Sequence, residues 1–258
     1  MTSLRSDKYK IIVFDLDGTL ARSKLPIGRA MASLLAELIQ KKKGAVIGGG
    51  KMPLFRRQIL RPMAKNRPNF ENLYLFPTNG AALFRYKGGW RRVYEVKLTA
   101  DEAQRIKRAL GLALAAVHFK YPKRKFGVLI ENRGTQITFS ALGQRAPLPL
   151  KGKWNRDSDI RPKITQALKK LLPDFEVREG GLTSIDVTKK GIDKGYAVRR
   201  LMKILRMRKE DLVFIGDALF PGGNDYSVKK TGILCVRVSN PDETKEVIRN
   251  FEFRNRKF

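Results

Sequence analysis

The sequence has little of what several classes of protein require. It contains one cysteine, Cys235, and a single cysteine excludes an internal disulfide. It also contains one histidine, His118, and no zinc-finger spacing is present. No apolar segment is long enough to span a bilayer, and residues 1–10 lack the apolar core of a signal peptide. We therefore expect a cytoplasmic protein without a membrane partner, in which Cys235 is a buried core thiol and His118 has a structural role.

Acidic residues are few relative to basic ones. The 258 residues include 54 Lys plus Arg against 24 Asp plus Glu, which gives a formal net charge of +30. A field of this sign attracts polyanions and speeds the capture of phosphorylated substrates. The cations are scattered in small clusters without an arginine-rich arm, so we favour a basic enzyme surface and keep nucleic-acid binding as an alternative.

The most informative stretch is IIVFDLDGTL, residues 11–20. Four consecutive apolar residues, rich in β-branched types, are typical of a strand buried on both faces. Asp15 and Asp17 follow at its carboxyl end, where open α/β folds build their sites. One carboxylate can hold a cation or attack a substrate while the other handles protons. The alternative, a strand end capped by solvated aspartates, is disfavoured by the motifs that follow later strands.

A glycine loop follows the second predicted strand. The apolar run 45–47 ends in Gly48, Gly49, Gly50 and Lys51. Strand–helix–strand connectivity places this loop beside Asp15 at the same edge of the sheet. Its backbone N–H groups, continuing into a helix predicted around residues 55–60, can bind a phosphate group.

Further carboxylates lie at the end of a late strand. The run LVFIGD ends in Asp217, and the loop after it carries Asn224 and Asp225. Clustered oxygen ligands with few nitrogen or sulfur alternatives suit magnesium. Lys194 opens a predicted helix before that strand, where its ammonium group can neutralise both a phosphoryl group and the carboxylates.

The pattern changes in the middle of the chain. Short apolar runs separated by Asn-Gly and Gly-Gly turns predict hairpins, and a capping box of Thr99 and Glu102 predicts a helix to about residue 117. A Pro- and Lys-rich loop is predicted at residues 146–156, followed by a helix from about 160 to 172. We therefore predict a parallel α/β core with an α+β insert. The predicted boundaries are 1–86 and 183–258 for the core and 87–182 for the insert.

These motifs resemble those of the haloacid dehalogenase superfamily of phosphatases and phosphotransferases. FDLDGTL, Lys194 and IGDALFPGGND are similar to its first, third and fourth motifs. Within subfamily IIB, the segments PTNGAALFRYKGG, RGTQITFSALGQ, GGLTSIDVTKKGIDKG and GDALFPGGNDY resemble the eukaryotic-type phosphomannomutases. The resemblance covers most of the chain, and it implies a Rossmann-like parallel-sheet core with an inserted α+β cap of the C2 type.

The resemblance also implies roles in magnesium-dependent phosphoryl transfer on a phosphorylated sugar. Asp15 would attack phosphorus to form an aspartyl phosphate, Asp17 would be the general acid and base, and Lys194 would hold the phosphoryl group. The Mg²⁺ ligands would be Asp15, the Asp17 backbone carbonyl, Asp217, Asn224 and Asp225. The substrate-binding residues would be Gly49, Gly50 and Lys51 in the core and Arg133, Gln144, Arg145, Lys151, Ser184 and Asp186 in the cap.

The chain departs from the family pattern around the phosphate. Residues 48–50 offer no hydroxyl where the superfamily has Ser or Thr. Arginines of the mutases fall on Gln144, with Arg145 adjacent, near Lys151, and on Lys24; lysine keeps the charge but loses the bidentate grip on phosphate. We therefore favour a phosphatase. The first alternative is a phosphohexomutase interconverting hexose 1- and 6-phosphates, the second is a basic nucleic-acid-binding protein on a retained fold, and a homodimer stays open.

Overall fold

The computed structural model describes residues 8–22, 24–157 and 159–253, and the chain divides into two compact units. The first comprises residues 1–94 and 193–258, and the second comprises residues 95–192. The strands are β1 (Ile11–Asp15), β2 (Lys43–Ile47), β3 (Leu73–Phe76), β4 (Ala82–Tyr86), β5 (Trp90–Glu95), β6 (Ile130–Asn132), β7 (Gln136–Ser140), β8 (Phe175–Gly180), β9 (Ser184–Lys189), β10 (Leu212–Gly216) and β11 (Leu234–Arg237). The helices are α1 (Arg29–Lys41), α2 (Met52–Phe55), α3 (Arg61–Ala64), α4 (Ala100–Ala116), α5 (Leu148–Asp157), α6 (Ile160–Leu171), α7 (Lys194–Leu205), α8 (Tyr226–Lys229) and α9 (Pro241–Phe253).

The first unit is built on a seven-stranded sheet in the order β11-β10-β1-β2-β3-β4-β5. The first five strands in that order run parallel, and β4 is antiparallel to β3. The carboxyl ends of β1, β2 and β10 therefore meet at one edge, which carries Asp15, the glycine loop and Asp217. The predicted parallel α/β core is confirmed.

Strand β1 is the centre of this unit because all five of its residues are buried. Ile12 and Phe14 belong to one apolar cluster together with side chains of α1 and α9, and Ile11 and Val13 belong to another together with side chains of α7. Each large apolar side chain buried in this way contributes about 1.5–3 kcal/mol. The two clusters thus hold Asp15, at the end of β1, on a rigid support.

The second unit contains a four-stranded antiparallel sheet in the order β6-β7-β9-β8. Alternation along β7 and β9 gives this sheet two different faces. The apolar face packs against α4 and α6 and includes Ile137, Phe139, Ile185 and Val187. The other face carries buried polar side chains: Gln136, Thr138, Ser140, Ser184, Asp186 and Thr188. The α+β character predicted for the insert is confirmed.

The limits of the units differ from the predicted cap limits, residues 87 and 182. Strand β5 continues the first sheet beside β4, and β9 lies between β7 and β8 in the second sheet. Strand alternation in a sequence marks a half-buried strand but does not reveal which sheet it joins, because pairing is a non-local property. Both differences come from a strand at the junction of the two units.

Local structure departs from the predictions at two further places. The predicted loop at 146–156 is wrong, because α5 covers Leu148–Asp157. Pro149 lies in the first turn of this helix, where proline is tolerated. Cys235 is half-buried on the edge strand β11, and burial raises the pKa of its thiol to about 11.

The Thr99–Glu102 capping box is confirmed, with both reciprocal hydrogen bonds present.

No helix of the described residues is long and apolar enough to cross a bilayer.

Candidate active site

Three carboxylates meet at the carboxyl edge of the first sheet. Asp15, Asp217 and Asp225 each offer an oxygen within 4.8 Å of the others'. Asp15 ends β1, Asp217 follows β10, and Asp225 precedes α8. Asp15 is 2% exposed and Asp225 is fully buried, so their charges are shielded from water and interact strongly.

Lys194 neutralises part of this cluster from the first residue of α7. Its Nζ donates to Asp15 Oδ1 and, at 2.6 Å, to Asp225 Oδ1, and its side chain is 1% exposed. Burial alone would lower the pKa of Lys194, but the ion pairs with Asp15 and Asp225 outweigh that effect and raise it. The residue is therefore a permanent buried cation between two carboxylates.

The cluster is still acid-rich, because one ammonium group faces three carboxyl groups. Burial raises the pKa of Asp15 well above its ordinary value; Lys194 opposes this shift, while Asp225 and Asp217 add to it. The pKa of Asp217 is raised in the same way, by burial first and by Asp225 second. An additional positive charge at this point would relieve the repulsion.

Two glycines, one in the turn after β1 and one at the end of β10, let the carboxylates approach. Gly18 has a φ of +100°, and a Cβ there would lie 2.3 Å from Asp217 Oδ2. A Cβ at Gly216 would lie 2.4 Å from Asp225 Oδ2. A backbone hydrogen bond also fixes the Asp225 carboxylate, since its Oδ2 accepts from Ala218 N at 3.0 Å.

The residues fit a hard divalent cation. The nearby ligand atoms are carboxylate oxygens, which suit Mg²⁺. In addition, Asn224 Oδ1 is a buried oxygen with no hydrogen-bond partner among the described residues, and such an atom is rare unless it serves an ion or a water. Asp15, Asp217, Asn224 and Asp225 therefore form a set that can hold Mg²⁺.

Asp17 has different surroundings from Asp15. Its side chain is half-buried, and Oδ1 accepts hydrogen bonds from Lys24 N at 2.6 Å and Gln58 Nε2 at 3.1 Å. Within the described residues its carboxylate is not one of the three that converge. This arrangement leaves the side chain available for proton transfer, while the predicted metal contact involves only its backbone carbonyl.

The glycine loop follows β2 at the same sheet edge, next to the turn after β3. Gly48 N donates to Phe76 O, and the Gly48 and Gly50 carbonyls accept from Asn79 N and Thr78 N. These bonds fix the loop path that leads through Gly49 and Lys51 into α2. Thr78 and Asn79 both have positive φ values, 50° and 55°, which is unusual for a β-branched residue such as threonine.

The cap residues predicted to bind substrate all lie in the second unit. Arg133 is 8% exposed in its side chain, pairs with Glu131 Oε2 at 2.9 Å, and donates to Gln144 Oε1 at 3.1 Å. Ser184 Oγ lies 2.9 Å from Ser140 Oγ. Of the other three predicted residues, Asp186 is buried on β9, Lys151 is buried on α5, and Arg145 is exposed.

The structure adds polar residues that the sequence interpretation missed. Thr19 is fully buried, and its Oγ1 lies 3.5 Å from Asp15 Oδ2 and 3.4 Å from Asp217 Oδ1. On the cap sheet, Gln136 Nε2 donates to Thr138 Oγ1, which donates to Asp186 Oδ1, both at 2.8 Å. The alternation of polar and apolar residues in TQITFS predicts that Gln136, Thr138 and Ser140 share one face of β7. No sequence signal marks Gln58, which donates to Asp17.

Comparison with known proteins places the chain. A family model described as eukaryotic phosphomannomutase matches residues 31–253. The chain belongs to this family. It is 28% identical to a phosphomannomutase of Encephalitozoon cuniculi over 246 residues, covering 92% of this chain and 91% of that one. It is 27% identical to the phosphomannomutase of Saccharomyces cerevisiae over 248 residues, covering 92% of both chains.

Solved structures agree on the fold. A Plasmodium falciparum IMP-nucleotidase superposes with a TM-score of 0.73 at 18% identity, covering 98% of this chain and 70% of that one. A haloacid dehalogenase-like hydrolase from Bacteroides thetaiotaomicron superposes with a TM-score of 0.58 at 18% identity, covering 94% and 99%. The chain thus has the haloacid dehalogenase fold, and its phosphomannomutase relatives identify it as an enzyme of the phosphotransferase kind.

Proposed function

We propose that this enzyme transfers the phosphoryl group of a phosphorylated sugar to Asp15 and then to water, as a magnesium-dependent phosphatase. The observation that carries the proposal is the buried Lys194, which bridges Asp15 and Asp225 beside Asp217. A protein without chemistry at this point would gain nothing from two buried carboxylates bonded to one ammonium group with a third, half-buried carboxylate beside them, because burying such charges costs stability.

Each step is assigned to a side chain of this protein. A carboxylate oxygen of Asp15 attacks phosphorus, the bond from phosphorus to the sugar oxygen breaks, and Asp17 gives its proton to that oxygen. Water then attacks phosphorus of the aspartyl phosphate, Asp17 takes a proton from that water, and the Asp15 carboxylate leaves. Lys194 neutralises the phosphoryl oxygens throughout.

Asp15, Asp217, Asn224, Asp225 and the backbone carbonyl of Asp17 would hold Mg²⁺. When bound, the cation supplies positive charge that offsets the carboxylates and the phosphoryl oxygens. Its proposed presence also accounts for Asn224 Oδ1, the buried oxygen that the described residues leave without a partner.

Substrate recognition is assigned to two sets of residues. Gly49, Gly50 and Lys51 would contact the transferring phosphoryl group through the loop after β2. The sugar and any second phosphate would be bound by residues of the second unit, Arg133, Gln144, Arg145, Lys151, Ser184 and Asp186. If Arg133 contacts the second phosphate, Arg133→Ala should raise KM for a hexose bisphosphate more than for a hexose monophosphate.

A phosphohexomutase is the second candidate, and membership of the phosphomannomutase family favours it. A mutase must hold a bisphosphate in two orientations, which requires a strong clamp on the distal phosphate. Here Gln144 stands at a predicted arginine position, and Arg133 is already paired with Glu131. These two observations favour hydrolysis over interconversion.

The test measures phosphate release from a panel of hexose phosphates, with magnesium and then with a chelator. A parallel reaction adds a hexose 1,6-bisphosphate and follows conversion of the 1-phosphate to the 6-phosphate. Magnesium-dependent release without conversion supports the phosphatase, and conversion that requires the bisphosphate supports the mutase. Asp15→Asn serves as the control, since it should abolish both activities without unfolding the protein.

A nucleic-acid role makes a different prediction. Binding driven by the net charge of +30 would weaken steeply with added salt. It would also be unaffected by Asp15→Asn. Salt-sensitive RNA binding combined with no turnover of any hexose phosphate would overturn the enzymatic proposal.

A further inference from the structure

Gln58 is a buried polar residue that the proposed mechanism has not used. It lies in a π-helical turn, Arg56–Leu60, between α2 and α3, and is fully buried. Two residues after the turn, Pro62 has no N–H to donate to the Gln58 carbonyl. That carbonyl instead accepts from Ile27 N at 2.9 Å. Turns of this kind inside helices often mark functional positions.

The side chain of Gln58 reaches the segment that follows the Asp15–Asp17 motif. Its Nε2 donates to Asp17 Oδ1 at 3.1 Å and to Leu25 O at 3.0 Å. The Leu25 carbonyl can only accept a hydrogen bond, so the amide nitrogen must face it. Gln58 is therefore fixed as a donor to the Asp17 carboxylate.

This orientation has a cost. With both amide hydrogens engaged, Gln58 Oε1 is buried without a hydrogen-bond partner among the described residues. An unpaired buried acceptor lowers stability, whereas the two hydrogen bonds to Asp17 and Leu25 raise it. The unpaired oxygen therefore offsets part of the stability that the two hydrogen bonds supply, and one of those bonds goes to the Asp17 carboxylate.

We propose that Gln58 is a positioning residue for Asp17. Together with Lys24 N, which donates to the same oxygen at 2.6 Å, it holds Oδ1 and leaves the other oxygen, Oδ2, to carry the proton. This inference rests on the proposed function, in which Asp17 gives a proton to the departing sugar oxygen as the phosphorus–oxygen bond breaks. The Asp15 attack itself does not depend on Gln58.

The proposal predicts that the importance of Gln58 depends on the leaving group. A sugar alkoxide is a poor leaving group and needs the proton from Asp17, whereas p-nitrophenolate leaves without one. The value of kcat/KM reports the steps up to transfer onto Asp15 and is not affected by later hydrolysis. Comparing this value for the two substrates isolates the protonation step.

The experiment uses the full chain with magnesium and compares hexose 6-phosphate with p-nitrophenyl phosphate. Gln58→Met keeps the length of the side chain and removes the donor. We expect it to lower kcat/KM for the hexose phosphate by about 10- to 100-fold, less than the roughly 10²- to 10⁴-fold that general acid catalysis as a whole contributes. The value for p-nitrophenyl phosphate should stay within about twofold. Tm should change by only about a few degrees, because removing the unpaired Oε1 offsets part of the loss of the hydrogen bonds to Asp17 and Leu25.

Two further variants sharpen the test. Gln58→Glu keeps the shape but places an acceptor against Asp17, so its loss on the hexose phosphate should exceed that of Gln58→Met. Gln40→Met is the matched control, because Gln40 Nε2 also donates to a backbone carbonyl, Arg67 O at 2.7 Å, at an exposed position. It should leave both substrates unaffected.

The outcomes separate the two proposals. Equal losses on both substrates, or a lowered Tm that accounts for them, would show that Gln58 has only a structural role. No loss on either substrate would refute the positioning role while leaving the phosphatase intact. A wild-type enzyme inactive on both substrates would refute the proposed function itself.

Discussion

Replacing Lys194 by methionine tests the electrostatics of the site. The change removes the ammonium group that is bonded to Asp15 and Asp225 but keeps an unbranched side chain of similar length. Removing one partner of a buried ion pair typically costs about 3–5 kcal/mol, because the other charge is left uncompensated. In the absence of metal, we expect a carboxyl group of the cluster to take up a proton in place of the lost charge.

That proton sets the size of the effect and its pH dependence. Protonating a carboxyl group with an ordinary pKa of 3.8 costs about 4 kcal/mol at about pH 7 and about 1.5 kcal/mol at about pH 5, at about 1.4 kcal/mol per pH unit. Lys194→Met should therefore be destabilising by about 4 kcal/mol at neutral pH. The loss should shrink as the pH falls and the proton becomes easier to take up.

Urea unfolding in a chelator, repeated across this pH range, measures the effect. Lys203→Met on the same helix is the control, because Lys203 is exposed and should change the free energy of unfolding by less than about 0.5 kcal/mol. A loss from Lys194→Met that does not vary with pH would contradict the reasoning, since it would come from packing instead of charge.

Three further predictions follow from the same structure. Burial raises the pKa values of Asp15 and Asp217 above the ordinary 3.8, so the metal-free protein loses stability as pH rises from 3.8 through the raised values. The increase in Tm on adding Mg²⁺ should therefore grow as pH rises over that interval, and calorimetry showing a constant increase would refute this. Gly223→Ala would place a Cβ 2.1 Å from Ala218 O, so it should displace the loop that carries Asp225 and lower phosphate release at least about tenfold, whereas Gly28→Ala, which meets nothing within 4 Å, should not. Thr99→Ala removes the capping box of α4 and should lower the free energy of unfolding by about 1 kcal/mol without changing kcat; an unchanged urea midpoint would contradict it.

The sheet edge that carries the site could be predicted because its signals are local. A buried apolar run followed by an acid occurs at Asp15 and again at Asp217, and parallel connectivity brings such ends together. The order of motifs along the chain and the family resemblance both assign Lys194 to this site. Its contacts with Asp15 and Asp225 follow from the neighbouring positions of α7 and α8.

Other features depend on contacts between distant segments, which the sequence does not display. Gln58 and Asp17 are 41 residues apart in the sequence. No sequence pattern predicts the π-helical turn, Arg56–Leu60, that carries Gln58. The sheet joined by β9 depends on its pairing with β7 and β8. The difference at α5 has another reason: its Pro- and Lys-rich composition indicates a loop, but Pro149 lies in the first helical turn, where proline is tolerated.

Packing around the glycine loop explains why residues 48–50 lack the Ser or Thr hydroxyl of the superfamily pattern. A Cβ at Gly48 would lie 3.2 Å from Leu16 Cβ, and one at Gly50 would lie 2.3 Å from Leu54 Cδ2. The loop is thus packed around glycine, and serine there would crowd its neighbours before it could reach a phosphate. Gly48→Ser is therefore expected to lower activity instead of raising it, because Leu16 Cβ cannot rotate away, whereas Leu54 Cδ2 can rotate away from a side chain at residue 50.

The most direct test of the account is to find where the phosphoryl group is held during turnover. The enzyme is mixed with a hexose phosphate and magnesium, quenched, and treated with borohydride, which reduces an aspartyl phosphate to homoserine. Mass spectrometry of the peptides then locates the modified residue. We predict homoserine at residue 15 in the wild type and none in Asp15→Asn. Active enzyme with no modified aspartate, or with the modification at Asp17, would contradict the assignment of Asp15 as the nucleophile.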